Sequence, residues 1–325
     1  MSSHCADNRP RGDIALIVID TLKLGTILLL LFSKSLLAQE GPFLYVLGVA
    51  QDAGFPQAGC YQAHCLPGWE NPAARRGATS LAVIDPAAGL KYLFEATPQL
   101  PEQLYALEQV APDTDYRLDG VFLRHAHIGH YAGLMYFGRE AMGASNIPVY
   151  TMSRMRQFLQ NNGPWSQLVE LNNISLKFMQ NYQTVPLRNI LVTPLVVPHR
   201  DEYSETVGFM ILGPRFSALF IPDIDNWEDW NRDIINEISN VDYVLIDGTF
   251  FDGNEIPDRD MSEIPHPLVV ESMALFDQLS ASEKEKIYFI HMNHSNPLLD
   301  AESQAFDEVI RRGFHVAVEG LRLPL

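Results

Sequence analysis

Cysteine is scarce in this sequence. There are three among 325 residues, and only Cys60 and Cys65 fall beyond the amino-terminal segment that holds Cys5. A disulfide-framed scaffold is thereby excluded. Positive charge is short as well, with 23 Lys and Arg against 40 Asp and Glu and a formal net charge of −17. That balance disfavours nucleic acid binding through a broad basic surface and fits a soluble, acidic exterior. No apolar run reaches the roughly 20 residues that span a bilayer. Internal repeats and an obvious linker are lacking too. What remains is 47% hydrophobic and 19% charged, a globular composition long enough for a sizeable core.

The segment Ile14 to Ala38 combines IALIVI, then Asp20 and Lys23, then LGTILLLLF and SKSLLAQE. Its second apolar run has the length of a signal-peptide core, follows a lysine and ends in small or apolar residues. It reads as an export signal cleaved near Ala38, giving a periplasmic or extracellular protein. The other readings are an uncleaved anchor that contacts the membrane, or a buried helix. Residues 1–40 are thus set apart from a body that begins near Gly41.

In the body, apolar strand-like runs alternate with helical spacing. Strands are predicted at FLYVLGVA (43–50), TSLAVID (79–85), KYLFEAT (91–97), GVFLR (120–124), IPVYT (147–151) and NILVTPLVVPH (189–199). GFMIL (208–212) and SALFIPD (217–223) read as an antiparallel pair, and DYVLIDGTF (242–250), KIYFIH (286–291) and FHVAVEG (314–320) as later strands. Helices are expected over 101–110, from His130, over 226–238, 268–279 and about 301–312. This is an α/β or α+β domain with enough strands for two sheets.

Seven residues recur at the carboxyl ends of apolar strands. They are His125, His127 and His130 in HAHIGH, then His199, Asp223, Asp247 and His291. Loops at strand ends are where a rigid scaffold presents chemistry. One histidine in such a place is ordinarily a surface or satisfied core residue. Histidines at i, i+2 and i+5 followed by a His–Asp–His series point instead to a metal site, because imidazole and carboxylate suit zinc and similar ions.

The order HxHxxH, His199, Asp223, His291 resembles the metallo-β-lactamase superfamily. Within it, VLGVAQDAGFPQAGC, EATPQLPEQL, VLIDGTFFDGNEI, the tripeptide at 259–261 and IHMNHSNPLL resemble the pyrroloquinoline quinone biosynthesis protein B family over residues 43–325. Phosphoribosyl cyclic phosphodiesterases share the plan, and tRNase Z more distantly. The resemblance implies a four-layer αβ/βα sandwich with metals at one edge of its two sheets. It places one metal on His125, His127 and His199, a second on His130 and His291, and Asp223 between them, the metal being zinc, iron or manganese. Where these hydrolases carry an aspartate for the second metal, this chain has Gly129. The second site is therefore expected to be weak, held by another ligand, or absent.

The resemblance also places His266 near a leaving group, as a general acid beside Asp223; a helix-capping or surface role is the alternative. Asp247 is expected to orient a ligand histidine or a loop rather than to bind metal. In GCYQAHC the related families carry three cysteines that bind a structural zinc, and Gln62 stands for the middle one. Cys60, Cys65, His294 and His64 are candidates for that site; a disulfide is the rival, and free thiols are the third reading. The function expected is hydrolysis of a phosphodiester or ester in a small-molecule substrate. The alternatives are oxidative or cofactor-handling work of the quinone-biosynthesis kind, or metal or ligand binding without catalysis.

Overall fold

Alternate residues of FLYVLG enter different apolar layers. Phe43 and Leu47 pack with the helices on one side, while Leu44 and Val46 join the layer between two sheets. A strand buried on both faces loses the polar alternation of a surface strand, which is why these segments read as continuous apolar runs. The computed structural model describes residues 40–256 and 260–325. The expected export signal or anchor with cleavage near Ala38, and Arg259 of the tripeptide at 259–261, lie outside the described residues. Among the described residues no helix is long and apolar enough to cross a membrane.

The first sheet contains β1 (Phe43–Gly48), β2 (Ser80–Asp85), β3 (Leu90–Phe94), β4 (Arg117–Phe122), β5 (Ile147–Thr151) and β6 (Ile174–Phe178). The second contains β7 (Val185–Pro186), β8 (Leu191–Val196), β9 (Val207–Leu212), β10 (Ser217–Ile221), β11 (Tyr243–Asp247), β12 (Ile287–Ile290) and β13 (His315–Val316). The last strand, β14 (Arg322–Pro324), returns to the first sheet beside β1. The orders are β14-β1-β2-β3-β4-β5-β6 and β13-β12-β11-β10-β9-β8-β7. Each sheet is antiparallel in one half and parallel in the other, the change falling at β3 and at β10.

Phe94, Phe122 and Phe209 interlock between the sheets, with Phe209 edge-on to both partners at 5.1 and 5.8 Å. Helices Leu100–Val110, Ser153–Asn161 and Trp165–Glu170 cover the outer face of the first sheet through Leu100, Leu107, Met155, Leu159 and Leu168. Ile234–Ser239, Val269–Leu275 and Gln304–Arg311 pack on the second through Ile238, Met273 and Val309. The result is the four-layer sandwich expected from the sequence, with strands and helices mixed in each half.

The helix expected over 226–238 is shorter, Ile234–Ser239. Trp227 donates its indole N–H to Ser272 Oγ (2.9 Å) and Trp230 donates to the Val196 carbonyl (2.9 Å). Those tertiary bonds hold the preceding stretch out of helix, and Asp233 then caps the helix by accepting from Ile235 N at 2.9 Å. The strand expected over 314–320 is also shorter, because the chain turns through Gly320 at φ +86° to deliver β14.

Candidate metal centre

The carboxyl ends of β1, β3, β4, β8, β10, β11 and β12 meet along one edge of the sandwich. β4 ends at Phe122, and two residues later Arg124 leads into His125, His127 and His130. His127 stands just before the short helix Ile128–Tyr131, which carries His130 inward. β8, β10, β11 and β12 deliver His199, Asp223, Asp247 and His291.

The buried Asp223 is the hub. His199 Nε2 lies 3.2 Å from its Oδ1, and His125 Nε2 and His130 Nε2 lie 3.4 and 3.5 Å from its Oδ2. His291 Nε2 is 4.0 Å from the same Oδ2. His125, His127, His199 and Asp223 each bring one ligand atom within 4.8 Å of the others. The far nitrogens are held: His199 Nδ1 by Asp225 Oδ1 (2.7 Å) and His291 Nδ1 by Thr249 Oγ1 (3.0 Å). Such bonds fix the ring so that Nε2 faces the centre.

Among the described residues, the buried side-chain atoms without a hydrogen-bond partner concentrate here. They include Nε2 of His125, His130, His199 and His291, and Asp223 Oδ1. Buried polar atoms are costly unless satisfied, so a convergent set of imidazole nitrogens with one carboxylate oxygen fits a bound cation. The donor set, nitrogen with oxygen, suits zinc, iron or manganese.

Burial pushes His125 well below the ordinary histidine value, with His130 adding to the effect, and takes His291 down to about 3. Burial also lowers His127. Neutral imidazole is the form that binds metal. Burial opposes charge on His130 too, but Glu95, Asp223 and Asp52 outweigh it and raise that histidine well above its ordinary value. Burial would raise Asp223, yet the histidines around it hold it well below the usual carboxylate range.

Three residues at this edge lay outside the sequence reading. Arg124, fully buried, donates from Nε to Glu95 Oε1 (2.6 Å) and from Nη2 to Asp223 Oδ2 (3.2 Å). Glu95 in turn brings Oε2 to 3.2 Å from His130 Nδ1. Asp52, in the loop after β1, brings Oδ1 to 3.5 Å from His130 Nε2, and its ligand atom clusters with those of His130 and His291. Both acids stand at the carboxyl ends of apolar strands, the same signal that marked His199 and Asp223.

His266 is buried, with Nδ1 2.8 Å from Asp247 Oδ2 and 3.6 Å from Asp223 Oδ1. Burial works against its charge, but Asp247 and then Asp223 push it up to about 9. Asp247 also accepts from the backbone N–H of Ile224 (3.1 Å) and Thr249 (2.9 Å), so it fixes both His266 and the loop that carries Asp223. A cleft of about 310 Å³ opens beside the centre, lined by His266, Asp52, Gln51, Gln57 and Arg200, and by Phe250, Asn293 and His294.

Cys60 and Cys65 are joined by a disulfide, their Cα atoms 6.1 Å apart. His64 Nε2 lies 3.5 Å from Cys60 Sγ, and the His64 and His294 rings are 5.5 Å apart. One ligand atom from each of the four residues falls within 4.8 Å of the rest, so the structure brings together the whole set expected from the sequence.

Two mixed sheets with histidines and a central aspartate on a shared edge define a class of protein. Residues 90–292 match the family described as Beta-lactamase superfamily domain, and the chain belongs to that superfamily. Among curated relatives, coenzyme PQQ synthesis protein B of Pseudomonas entomophila is 24% identical over 311 residues, covering 87% of this chain and 100% of that protein. Among solved structures, Zn(2+)-bound PqqB from Methylobacterium extorquens aligns at TM-score 0.73 and 23% identity, over 87% of this chain and 100% of that one. A diphosphatase from the PhnP family aligns at TM-score 0.61 and 21% identity, over 87% and 98%.

Proposed function

We propose that this chain is a metal-dependent hydrolase that cleaves a phosphodiester or ester in a small-molecule substrate. The observation that carries the reading is the set of unpartnered Nε2 atoms of four buried histidines converging on Asp223. His125, His127 and His199 would hold the principal ion with Asp223, and zinc, iron and manganese all suit these donors. A divalent ion there supplies Lewis acidity and lowers the pKa of water, which makes a nucleophile at neutral pH.

The chain's own groups complete the chemistry. Arg200 in the adjoining cleft favours an anionic substrate, and a phosphodiester is the better match to it. His266 holds a proton at the edge of the same cleft, while Asp247 fixes its ring; protonating a departing oxygen is the role this suits. Arg124 and Glu95, both buried, position Asp223 and His130 without reaching the cleft.

A second reading draws on the relatives named coenzyme PQQ synthesis protein B: metal-dependent oxidative tailoring, or handling of a quinone or its precursor. Binding of metal or ligand without catalysis is the third. The export signal expected over residues 1–40 would place the protein in an oxidising compartment, which suits the Cys60–Cys65 disulfide better than a cytoplasmic cofactor-synthesis role.

The test is metal analysis of the purified chain beside His125→Ala and Cys60→Ser, followed by assay against an activated phosphodiester with added manganese, iron or zinc. Turnover is expected in the wild type and loss of metal and turnover in His125→Ala. A wild type that binds no ion that His125→Ala loses would sink the catalytic-metal reading. Metal binding without turnover of any ester would favour the other two.

A further inference from the structure

Gly129 stands where the related hydrolases carry a second-metal aspartate, and the structure fills that space with another acid. A Cβ at Gly129 would lie 2.3 Å from Asp52 Cα and 2.7 Å from the Asp52 carbonyl oxygen. No real Cβ approaches backbone so closely, so a side chain at 129 and the present path of the Asp52 loop exclude each other. We infer that Asp52 is the carboxylate ligand of a second metal site completed by His130, His291 and Asp223, the acid having moved from the helix start after β4 to the loop after β1. This rests on the metal-centre reading above and adds a ligand to it.

The local structure holds Asp52 at that position. The chain beyond β1 bridges to the chain beyond β12 through Ala50 and Met292, and Gln51 N donates to the Met292 carbonyl at 2.7 Å. Met292 directly follows His291, so Asp52 and His291 are carried on paired segments. Asp52 then turns with φ +43°, closed by a bond from Gly54 N to the Gln51 carbonyl (3.0 Å). From there its Oδ1 reaches 3.5 Å from His130 Nε2, while the same Nε2 is 3.5 Å from Asp223 Oδ2. The Nε2 atoms of His130 and His291 are fully buried and lack hydrogen-bond partners; both residues bring a ligand atom within 4.8 Å of that of Asp52, and His291 Nε2 lies 4.0 Å from Asp223 Oδ2. Two imidazoles and two carboxylates restore the donor count that Gly129 removes.

The rival is that Asp52 only forms an ion pair with His130. Manganese is the probe, because it favours oxygen donors over thiolate and so reports this centre apart from Cys60 and Cys65; the second equivalent in Asp52→Asn then separates ligand from ion pair. Two ions sharing Asp223 would also give a spin-coupled paramagnetic resonance signal. The full oxidised chain would be titrated with manganese by calorimetry, with bound metal counted after desalting and the resonance spectrum recorded. The wild type is expected to bind two equivalents with a coupled spectrum. Asp52→Asn should keep one equivalent, lose the coupled signal and weaken the second at least tenfold, with an unchanged circular dichroism spectrum. Gly129→Ala, which removes no ligand, should weaken the second ion likewise by displacing the Asp52 loop, and it serves if Asp52→Asn fails to fold. The inference is overturned if the second ion binds Asp52→Asn or Gly129→Ala as in the wild type. It is overturned too if the wild type holds a single ion that His125→Ala loses and Asp52→Asn keeps. Should His125→Ala bind as the wild type does, the metal-centre reading itself falls.

Discussion

With Nδ1 of His266 on Asp247 at 2.8 Å, Nε2 is the nitrogen that would serve a leaving group in the proposed hydrolysis. A general acid matters in proportion to the basicity of the departing oxygen. His266→Ala should therefore slow cleavage of an alkyl phosphodiester by about 10²–10³, while p-nitrophenolate, a stable anion, departs at nearly the wild-type rate. Equal losses for both esters would argue that His266 serves the fold instead. Glu255 offers a separate measurement. Burial raises its carboxyl from 4.5 to about 7 against the bonds from Ser295 and the Phe251 N–H that favour its charge. A folded pKa above the unfolded one means that its contribution is fully present below about pH 4.5 and is lost as pH rises through about 7. Glu255→Gln mimics the protonated form, so it should gain on the wild type between pH 5 and 8 by on the order of 2–3 kcal/mol. Denaturation at both ends of that range checks it, and a pH-independent difference would refute it. At this scale the histidines were legible because imidazoles at strand ends are a rare, type-specific signal. Asp52, Glu95 and Arg124 were not, since one acid or arginine near a strand is common and only the docking of the two sheets brings them to His130.

The strands that were legible are those whose apolar runs sit between turn residues, such as IPVYT at β5 and the pair β9 and β10. Their assignment to sheets was not, because it depends on pairings such as β1 with β14 that join the two ends of the body. The helix over 226–238 failed for a related reason. Its polar spacing is helical, but two tryptophans find partners in distant elements and override it. Phe209 tests what holds the sheets together. It is fully buried on β9 and meets two stacked rings from β3 and β4. Removing it leaves a cavity that neither rigid sheet can close, so Phe209→Ala should cost about 3–5 kcal/mol in urea denaturation. A loss below about 1 kcal/mol would show that the layers repack, contrary to the close packing expected of such a core.

For the whole molecule the edge is costly wherever its buried donors and acceptors stay unpaired. The buried acids Asp223, Glu95 and Asp247 face Arg124 and two histidines held above their ordinary value, His130 and His266, while burial keeps His125 and His291 below it. The bonds of Arg124 to Glu95 and Asp223 still leave Asp223 Oδ1, and Nε2 of His125, His199 and His291, without hydrogen-bond partners. An ion that binds the folded edge and has little affinity for the unfolded chain stabilises the fold by mass action, about 3–4 kcal/mol at 100 to 1,000 times its Kd. For a chain this long that corresponds to roughly 5–10 °C in Tm. Chelation of the oxidised protein, in which the disulfide keeps Cys60 and Cys65 from binding metal, should lower Tm by that amount, and returning the ion should restore it. His125→Ala should start lower and respond less to either treatment. Differential scanning fluorimetry of the two proteins reads all of this directly. An unchanged wild-type Tm would mean that the convergent imidazoles gain nothing from an ion, and the edge would then be a buried polar network that the sandwich tolerates without one.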